Sequence, residues 1–577
     1  MSLKRTFAGV FLIYTLVLPT VTLAQTAVYT APKDVIDKIK DEGMNRSQVM
    51  QTLSYLSDVI GPRLTASPGM KRANDWTRDT LTKWGMSNAH LEPWGPFGRG
   101  WSLKKFYAMV DGPTAFPVLA YPKAWSPGTE TLFSGKAPAD PAYSSEVIRF
   151  NPTNDAELDA FKGKLKGKIV LMGPIRELKA HFDPDATRNT DKQLLNLADA
   201  PDPASIQRPQ GNPAAANPQF ANFQAQAQFN AKRFRFLADE GAAVILDGAR
   251  GDMGTIFVAQ ATAVQPPPAP QGQPAAPVVR VWDKGANVPV QVSLAAEHFN
   301  RLARMIDAGE HPTMTVDLSV AFQDNDLNGY NTVAEIPGTD KADEIVMLGG
   351  HLDSWLSGSG ATDNGAGCAV MMEAMRIIKS LGLQPRRTIR LALWTGEEEG
   401  LLGSRQYVAK HFGYMGNTAP PVFAAGGGPR DPNAPAPALT KGAEYDKLSS
   451  YFNIDNGTGR IRGIYMQGND NVRPIFKTWF EPFRDAHWFN KDTDLGAYTL
   501  SMSNTGGTDH LSYDAIGLPG FQFIQDEIDY SSRTHHSNMD VFDRIQADDM
   551  KQISTIVAAF VYQTAMMDGQ MPKKGKM

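Results

Sequence analysis

Along this chain the spacing of apolar residues switches between helical and strand-like periods, and the switches outline its elements. Residues 34–84 read as helical, with a break at Gly61-Pro62. KIVLM at 168–172 and AAVIL at 242–246 are short apolar runs that predict buried strands. Between them, residues 229–240 predict a helix that stops at Gly241, a residue suited to the turn beyond a helix end. A further strand is expected over 289–294 and a helix over 295–308.

Beyond Asn331 strands and helices alternate regularly. EIVML at 344–348 predicts a strand ended by Gly349-Gly350. Residues 365–381 predict a helix with Val370, Met371, Ala374, Met375 and Ile378 on one face and Glu373, Arg376 and Ser380 on the other. In 387–394, Ile389, Leu391 and Leu393 alternate with Arg390 and Ala392, the period of a strand. Helix is expected again from Glu398 onward, and an amphipathic helix over 547–565 closes the chain. Such alternation implies an α/β fold, a mixed and mostly parallel sheet sandwiched by helices. Functional residues in that architecture sit just past the carboxyl ends of strands.

Composition refines this picture. The 577 residues exceed one ordinary domain, and 42% hydrophobic with 20% charged residues is the balance of a globular protein. A formal charge of −4 argues against a nucleic-acid surface or a polybasic membrane patch. Three stretches, 200–228, 264–277 and 418–439, are rich in Ala, Pro, Gln, Asn or Gly and are expected to be long surface loops. Lys4 and Arg5 precede a mostly apolar run over 6–21 and a Thr22-Leu23-Ala24 cleavage site, the pattern of a signal peptide. The run is shorter than the about 20 residues of a membrane span. An exported protein is expected, periplasmic or extracellular, with no integral membrane segment after signal removal. The single cysteine, Cys368, excludes an internal disulfide. It lies in a small-residue run and reads as packed helix rather than as a nucleophile.

Candidate chemistry gathers at the predicted strand ends. His351 follows a strand, and Asp353, two residues on, is placed to receive its second ring N–H. Asp363-Asn364-Gly365 opens a helix, where a carboxylate serves either as a cap or as a rigidly held metal ligand. Glu397, Glu398 and Glu399 follow another strand, and adjacent carboxylates repel unless a cation neutralises them. Asp455 ends a partly apolar segment, and His535-His536 precedes Asp540. Two imidazoles and several carboxylates without a thiolate suit zinc. Five ligands exceed what one catalytic zinc takes, so a bridged pair of metals fits better.

HLDSW, TDNGAG, LWTGEEEGLLGS, FNIDNG and HHSNMD stand in that order over 351–540. Together they resemble the co-catalytic dizinc peptidases, a family that includes bacterial leucyl aminopeptidases, glutamate carboxypeptidase II and plasma glutamate carboxypeptidase (carboxypeptidase Q). The resemblance implies two Zn2+ per chain. Asp363 would bridge them, His351 and Asp455 would complete one, and Glu398 and His536 the other. Glu397 would be the general base. The Asp363–Asn364 peptide bond is a candidate for the cis form common in that family. His536 is preferred to His535 because an acid, Asp540, follows it by four positions. His535 stands where some relatives carry an oxyanion-holding tyrosine, which makes Tyr530 an alternative for that role. Asp509 and His510 lie in a run that resembles the family's glycine-rich substrate-side loop. KGKIVLMGP and GAAVILDG, over 166–174 and 241–248, resemble a β-rich protease-associated domain. The implied layout is a signal peptide over 1–24, peptidase domain over 25–115 and 319–577, and the insert over 116–318.

The resulting expectation is a secreted zinc exopeptidase acting on short peptides, an aminopeptidase ahead of a carboxypeptidase or dipeptidase. An oligomer is compatible with it. A receptor-like binding protein of the same fold and a one-zinc aminoacyl cyclase are the competing readings. Neither calls for the complete set of five ligands and a base.

Overall fold

The computed structural model describes residues 28–133, 138–206, 218–269, 273, 276–423, 437–489 and 496–575. The expected signal peptide and most of the 418–439 stretch lie outside them.

The described chain is organised by two eight-stranded sheets. In the first, the order is Ser87–Trp94, Gly329–Ile336, Arg387–Trp394, Lys341–His351, Leu448–Asn453, Gly520–Gln525, Ile461–Tyr465 and Thr499–Ser501. The central neighbours run parallel: Lys341–His351 pairs with Arg387–Trp394 and with Leu448–Asn453, which pairs with Gly520–Gln525. Antiparallel pairs flank them, so the sheet is mixed as expected. Both faces are covered. Val346, Leu348, Ile389 and Leu391 pack toward the helices Lys33–Asn45, Ala366–Ser380 and Ala547–Met566. Met347, Ala392 and Tyr451 pack toward Tyr407, Val408 and Tyr513 of the helices Leu402–His411 and His510–Asp514. Burial on both faces is what the unbroken apolar runs foretold.

Three expectations need correction. The strand over 344–348 does not end at Gly349-Gly350; it continues to His351. A Cβ on Gly349 would stand 2.2 Å from the Ala392 carbonyl oxygen, so glycine there lets the two strands stay close. Helix resumes at Leu402 rather than at Glu398, because residues 395–401 form a tight turn that carries the glutamates. On the opposite face of Ala366–Ser380, Ser380 is exposed but the charged residues are not. Glu373 and Arg376 are buried, paired with each other at 2.8 Å, and Arg376 also reaches Glu42 at 2.8 Å. The closing helix is buried nearly all round rather than amphipathic. Its Gln552 exchanges hydrogen bonds with the Ile461 backbone at 2.9 and 3.0 Å.

The second sheet is assembled from Gly100–Gly112 through Thr313–Gln323, which pair with one another along their length. It therefore spans 100–323, wider than the 116–318 drawn from sequence. The expected strands appear as Ile169–Met172, Val244–Gly248 and Val290–Leu294, parallel neighbours. The 200–228 stretch is partly helical, since a helix runs over Pro218–Asp239. Alanine and glutamine are strong helix formers, and their low hydrophobicity leaves the side chains of 222–228 exposed without opposing the helix. The described part of 264–277 is loop.

Candidate metal centre

The candidate ligands converge on Asp363 from four different places in the chain. His351 ends the central strand Lys341–His351, and Asp363 lies in the turn before the helix Ala366–Ser380. Glu398 lies in the turn after Arg387–Trp394, and Asp455 follows Leu448–Asn453. These are carboxyl ends of parallel strands, where side chains leave the sheet into open space. His535 and His536 come from an irregular segment after Gly520–Gln525.

Asp363 sits between the two imidazoles. His351 Nε2 is 3.2 Å from Asp363 Oδ1 and 3.3 Å from Asp455 Oδ1. His536 Nε2 is 3.2 Å from Asp363 Oδ2 and 2.9 Å from Glu398 Oε2. Ligand atoms of His351, Asp363 and Glu398, and of Asp363, His535 and His536, fall into two groups with members within 4.8 Å of one another. The Asp363–Asn364 bond is cis. Cys368 is buried beneath the site, its thiol donating to the His351 carbonyl at 3.0 Å, and burial pushes it up to about 12. That thiol stays protonated and packed.

The supports differ in part from the sequence reading. His351 Nδ1 is 3.1 Å from the main-chain carbonyl of Asp353 and 3.6 Å from its carboxylate. The carboxylate instead accepts the Glu398 backbone N–H at 3.2 Å, which ties the glutamate turn to the histidine strand. Asp540 touches neither histidine. It accepts from the Thr362 backbone N–H at 2.5 Å and from its hydroxyl at 2.8 Å, and so fixes the turn before Asp363. Arg63 is buried and donates to the carbonyls of Leu352 at 2.6 Å and Gly360 at 2.7 Å. Sequence reasoning assigned no site role to Arg63; its charged, hydrogen-bonding end meets the loop only after long-range packing.

The electrostatics are those of crowded, buried acids. Burial opposes protonation of His536, but Glu398 and Asp363 outweigh it and lift the ring to about 10. Burial likewise opposes His351, and Asp455 and Glu397 raise it well above its ordinary value. Burial, with Asp455, Asp509 and Glu398, pushes Glu397 well above the carboxylate range. Glu398 rises to about 7, chiefly by burial and next by Asp363. Asp509 is fully buried, rises to about 7 mainly through burial, and neither oxygen has a hydrogen-bond partner. His535 stacks on Tyr530 at 4.7 Å and is lowered to about 4 by burial. Tyr530 is raised well above its ordinary value by burial and then by Asp363 and Asp455. His510 does not join it; its Nε2 is 3.2 Å from the Thr505 carbonyl.

This fold and this imidazole–carboxylate cluster define a class, the metal-dependent peptidases. Residues 331–561 match Peptidase family M28. Among curated relatives, Carboxypeptidase Q of Xenopus laevis is 44% identical over 284 residues, 49% of this chain and 51% of that protein. Carboxypeptidase Q of Mus musculus is 29% identical over 280 residues, 48% of this chain and 51% of that protein. Leupeptin-inactivating enzyme 1 of Streptomyces exfoliatus is 30% identical over 200 residues, 34% of this chain and 36% of that protein. The chain spans about half the length of the Carboxypeptidase Q relatives it matches. The crystal structure of a Peptidase M28 precursor from Shewanella amazonensis SB2B shares the fold, with a TM-score of 0.58, 22% identity and coverage of 94% of this chain and 99% of that one.

Proposed function

We propose that this protein is an exported two-zinc exopeptidase that hydrolyses a terminal bond of short peptides, with residues 116–318 forming an inserted protease-associated domain. The observation that carries the reading is that His351 and His536 flank Asp363, His351 also meeting Asp455 and His536 also meeting Glu398. The donors fit zinc. All are imidazole nitrogens or carboxylate oxygens, and Glu398 Oε1 is buried without a hydrogen-bond partner, a group that a cation would satisfy. Asp363 would bridge, His351 and Asp455 would hold one ion, and Glu398 and His536 the other.

Zinc bound there supplies Lewis acidity toward a carbonyl and makes water a nucleophile near neutral pH. The residues do the rest. Glu397, next to the ligand Glu398, takes the proton of the attacking water and delivers it to the leaving amine. Asp353 aligns that glutamate turn through the Glu398 N–H. Tyr530 or His535 faces the oxyanion that develops on the carbonyl.

The aminopeptidase form is supported by acids beyond the ligand set. Asp509 and Glu399 each carry two buried oxygens without a hydrogen bond, groups suited to an ammonium. A carboxypeptidase or dipeptidase form is supported by the relatives' names and by Arg250. Its guanidinium lies 4.4 Å over the Phe257 ring beside the His536 segment, and it forms no ion pair among the described residues.

The test joins one variant to one substrate panel. Glu397→Gln should keep both zincs while kcat falls by about 100-fold or more. Full turnover in zinc-loaded Glu397→Gln would sink the assignment. Dipeptides blocked at either end should then separate the two forms, because the aminopeptidase accepts a C-terminal amide and rejects an N-acetyl group.

A further inference from the structure

The segment that carries His535 and His536 is not held by the peptidase sheet alone. Two loops of the second sheet's region grip it from outside. The first runs over 181–190. Asp185 accepts from Arg533 Nη2 at 2.6 Å and from Arg533 Nε at 3.0 Å, and its carbonyl accepts from the Ser532 hydroxyl at 2.8 Å. Thr187 and Ile528 exchange both backbone hydrogen bonds at 2.8 Å. The second loop runs over 252–258. The Ile256 N–H donates to the Asn538 side chain at 2.7 Å, and the Asn538 N–H returns to the Ile256 carbonyl at 3.1 Å. The Val258 N–H donates to the carbonyl of His536 itself at 3.0 Å. His181 joins the two loops, with Nδ1 2.9 Å from Asp185 and Nε2 2.8 Å from Asp252.

His536 needs such a grip. Its φ is 60°, a left-handed conformation that residues with a β-carbon rarely adopt. Its own carbonyl is bonded to the insert, and the insert holds the chain before it at Arg533 and after it at Asn538.

We infer that the inserted region builds one of the two metal positions: Asp185 and Asn538 are positioning residues that hold His536 in its ligand conformation, while the His351–Asp455 position stands without them. The inference rests on the two-zinc reading. Of the five proposed ligands only His536 lies on the gripped segment, so the dependence is one-sided. Loosening the grip removes one zinc and leaves its neighbour. A contact that merely stabilised the whole protein would weaken both alike.

Full-length protein is loaded with zinc, dialysed against a buffered zinc series, and assayed for zinc per chain alongside thermal unfolding of the metal-free form. Wild type should retain two zincs. Asp185→Ala and, separately, Asn538→Ala should weaken one zinc by about 10- to 100-fold, leave the other at wild-type affinity, and barely move the metal-free Tm. Asp185→Glu should restore the second zinc. Asp307→Ala, which removes the 3.1 Å pair with Arg149 inside the insert, should keep both. Two zincs at wild-type affinity in both Asp185→Ala and Asn538→Ala, or parallel loss of both zincs, overturns the inference. Fewer than two zincs in wild type overturns the two-metal reading itself, a distinct result because no variant is involved.

Discussion

At the scale of single residues, the adjacent histidines are the sharpest contrast. His536 is held at φ 60°, a departure that costs about 1–3 kcal/mol unless its surroundings impose it. His535 keeps an ordinary backbone, with φ −56°, and its Nε2 stands 3.7 Å from Asp363 Oδ2 against 3.2 Å for His536. Their surroundings also differ, since burial lowers His535 to about 4 whereas Glu398 and Asp363, against burial, raise His536 to about 10. His536→Ala is therefore expected to bind one zinc and His535→Ala two. His535→Ala should lower kcat with little change in zinc content, which metal analysis beside steady-state kinetics reads directly. The four-residue spacing to Asp540 selected the same histidine, but Asp540 acts on Thr362 rather than on the ring.

At the scale of elements, a polar network ties the edge strand Ser87–Trp94 to the end of the helix Leu402–His411. His411 Nε2 is 2.8 Å from Glu92 and its Nδ1 3.2 Å from Glu444, and Lys410 reaches Glu92 at 2.7 Å. Burial works against the charged form of Glu92, but His411 and Lys410 prevail and draw it from 4.5 to about 2. Glu444 moves to about 2 against the same burial, through His411 and Arg390. Both carboxylates thus stabilise the fold above pH 4.5, a contribution lost as pH falls toward 2. His411 is raised despite burial, by Glu444 and Glu92, so its share is complete below pH 6.5 and fades as pH rises through its folded value. The network is strongest between about pH 4.5 and 6.5. Glu92→Gln should cost about 1 kcal/mol near neutrality, the partial exposure of the site having been allowed for. It should also flatten the loss of stability between pH 4.5 and 2, which denaturant melts across that range would show. An unchanged acid limb would contradict this account.

At the scale of the whole molecule, the closing helix Ala547–Met566 is the central beam of the peptidase core. Phe560 is fully buried, with ring centroids of Phe480 at 4.6 Å, Phe523 at 5.5 Å, Trp479 at 5.6 Å and Phe476 at 5.8 Å. Phe560→Ala should destabilise by about 3–5 kcal/mol, the cost of a large cavity among aromatic neighbours. The folded fraction should keep its activity per zinc, because none of the ligands lies on this helix. A shift in Tm without a change in specific activity is the expected readout.

Local pattern was enough for the alternation of strand and helix, for the strand Arg387–Trp394 and the helix Ala366–Ser380, and for the short motifs that hold the acids and histidines. Period and turn chemistry are properties of neighbours in the chain, and they survive without knowledge of the fold. It was not enough for the partners of Glu373 and Arg376, since Glu42 reaches Arg376 from a distant helix. Nor did it reach the partners of Asp353 and Asp540, the burial of Arg63, or the grip of residues 181–190 and 252–258 on the His536 segment. Those contacts join residues tens to hundreds of positions apart. Hydrogen bonds of that kind leave no periodic trace in sequence, because each depends on where two separate elements dock. The chemistry of the donors was thus legible one motif at a time, while their convergence on Asp363 and the devices that hold them there belong to tertiary structure.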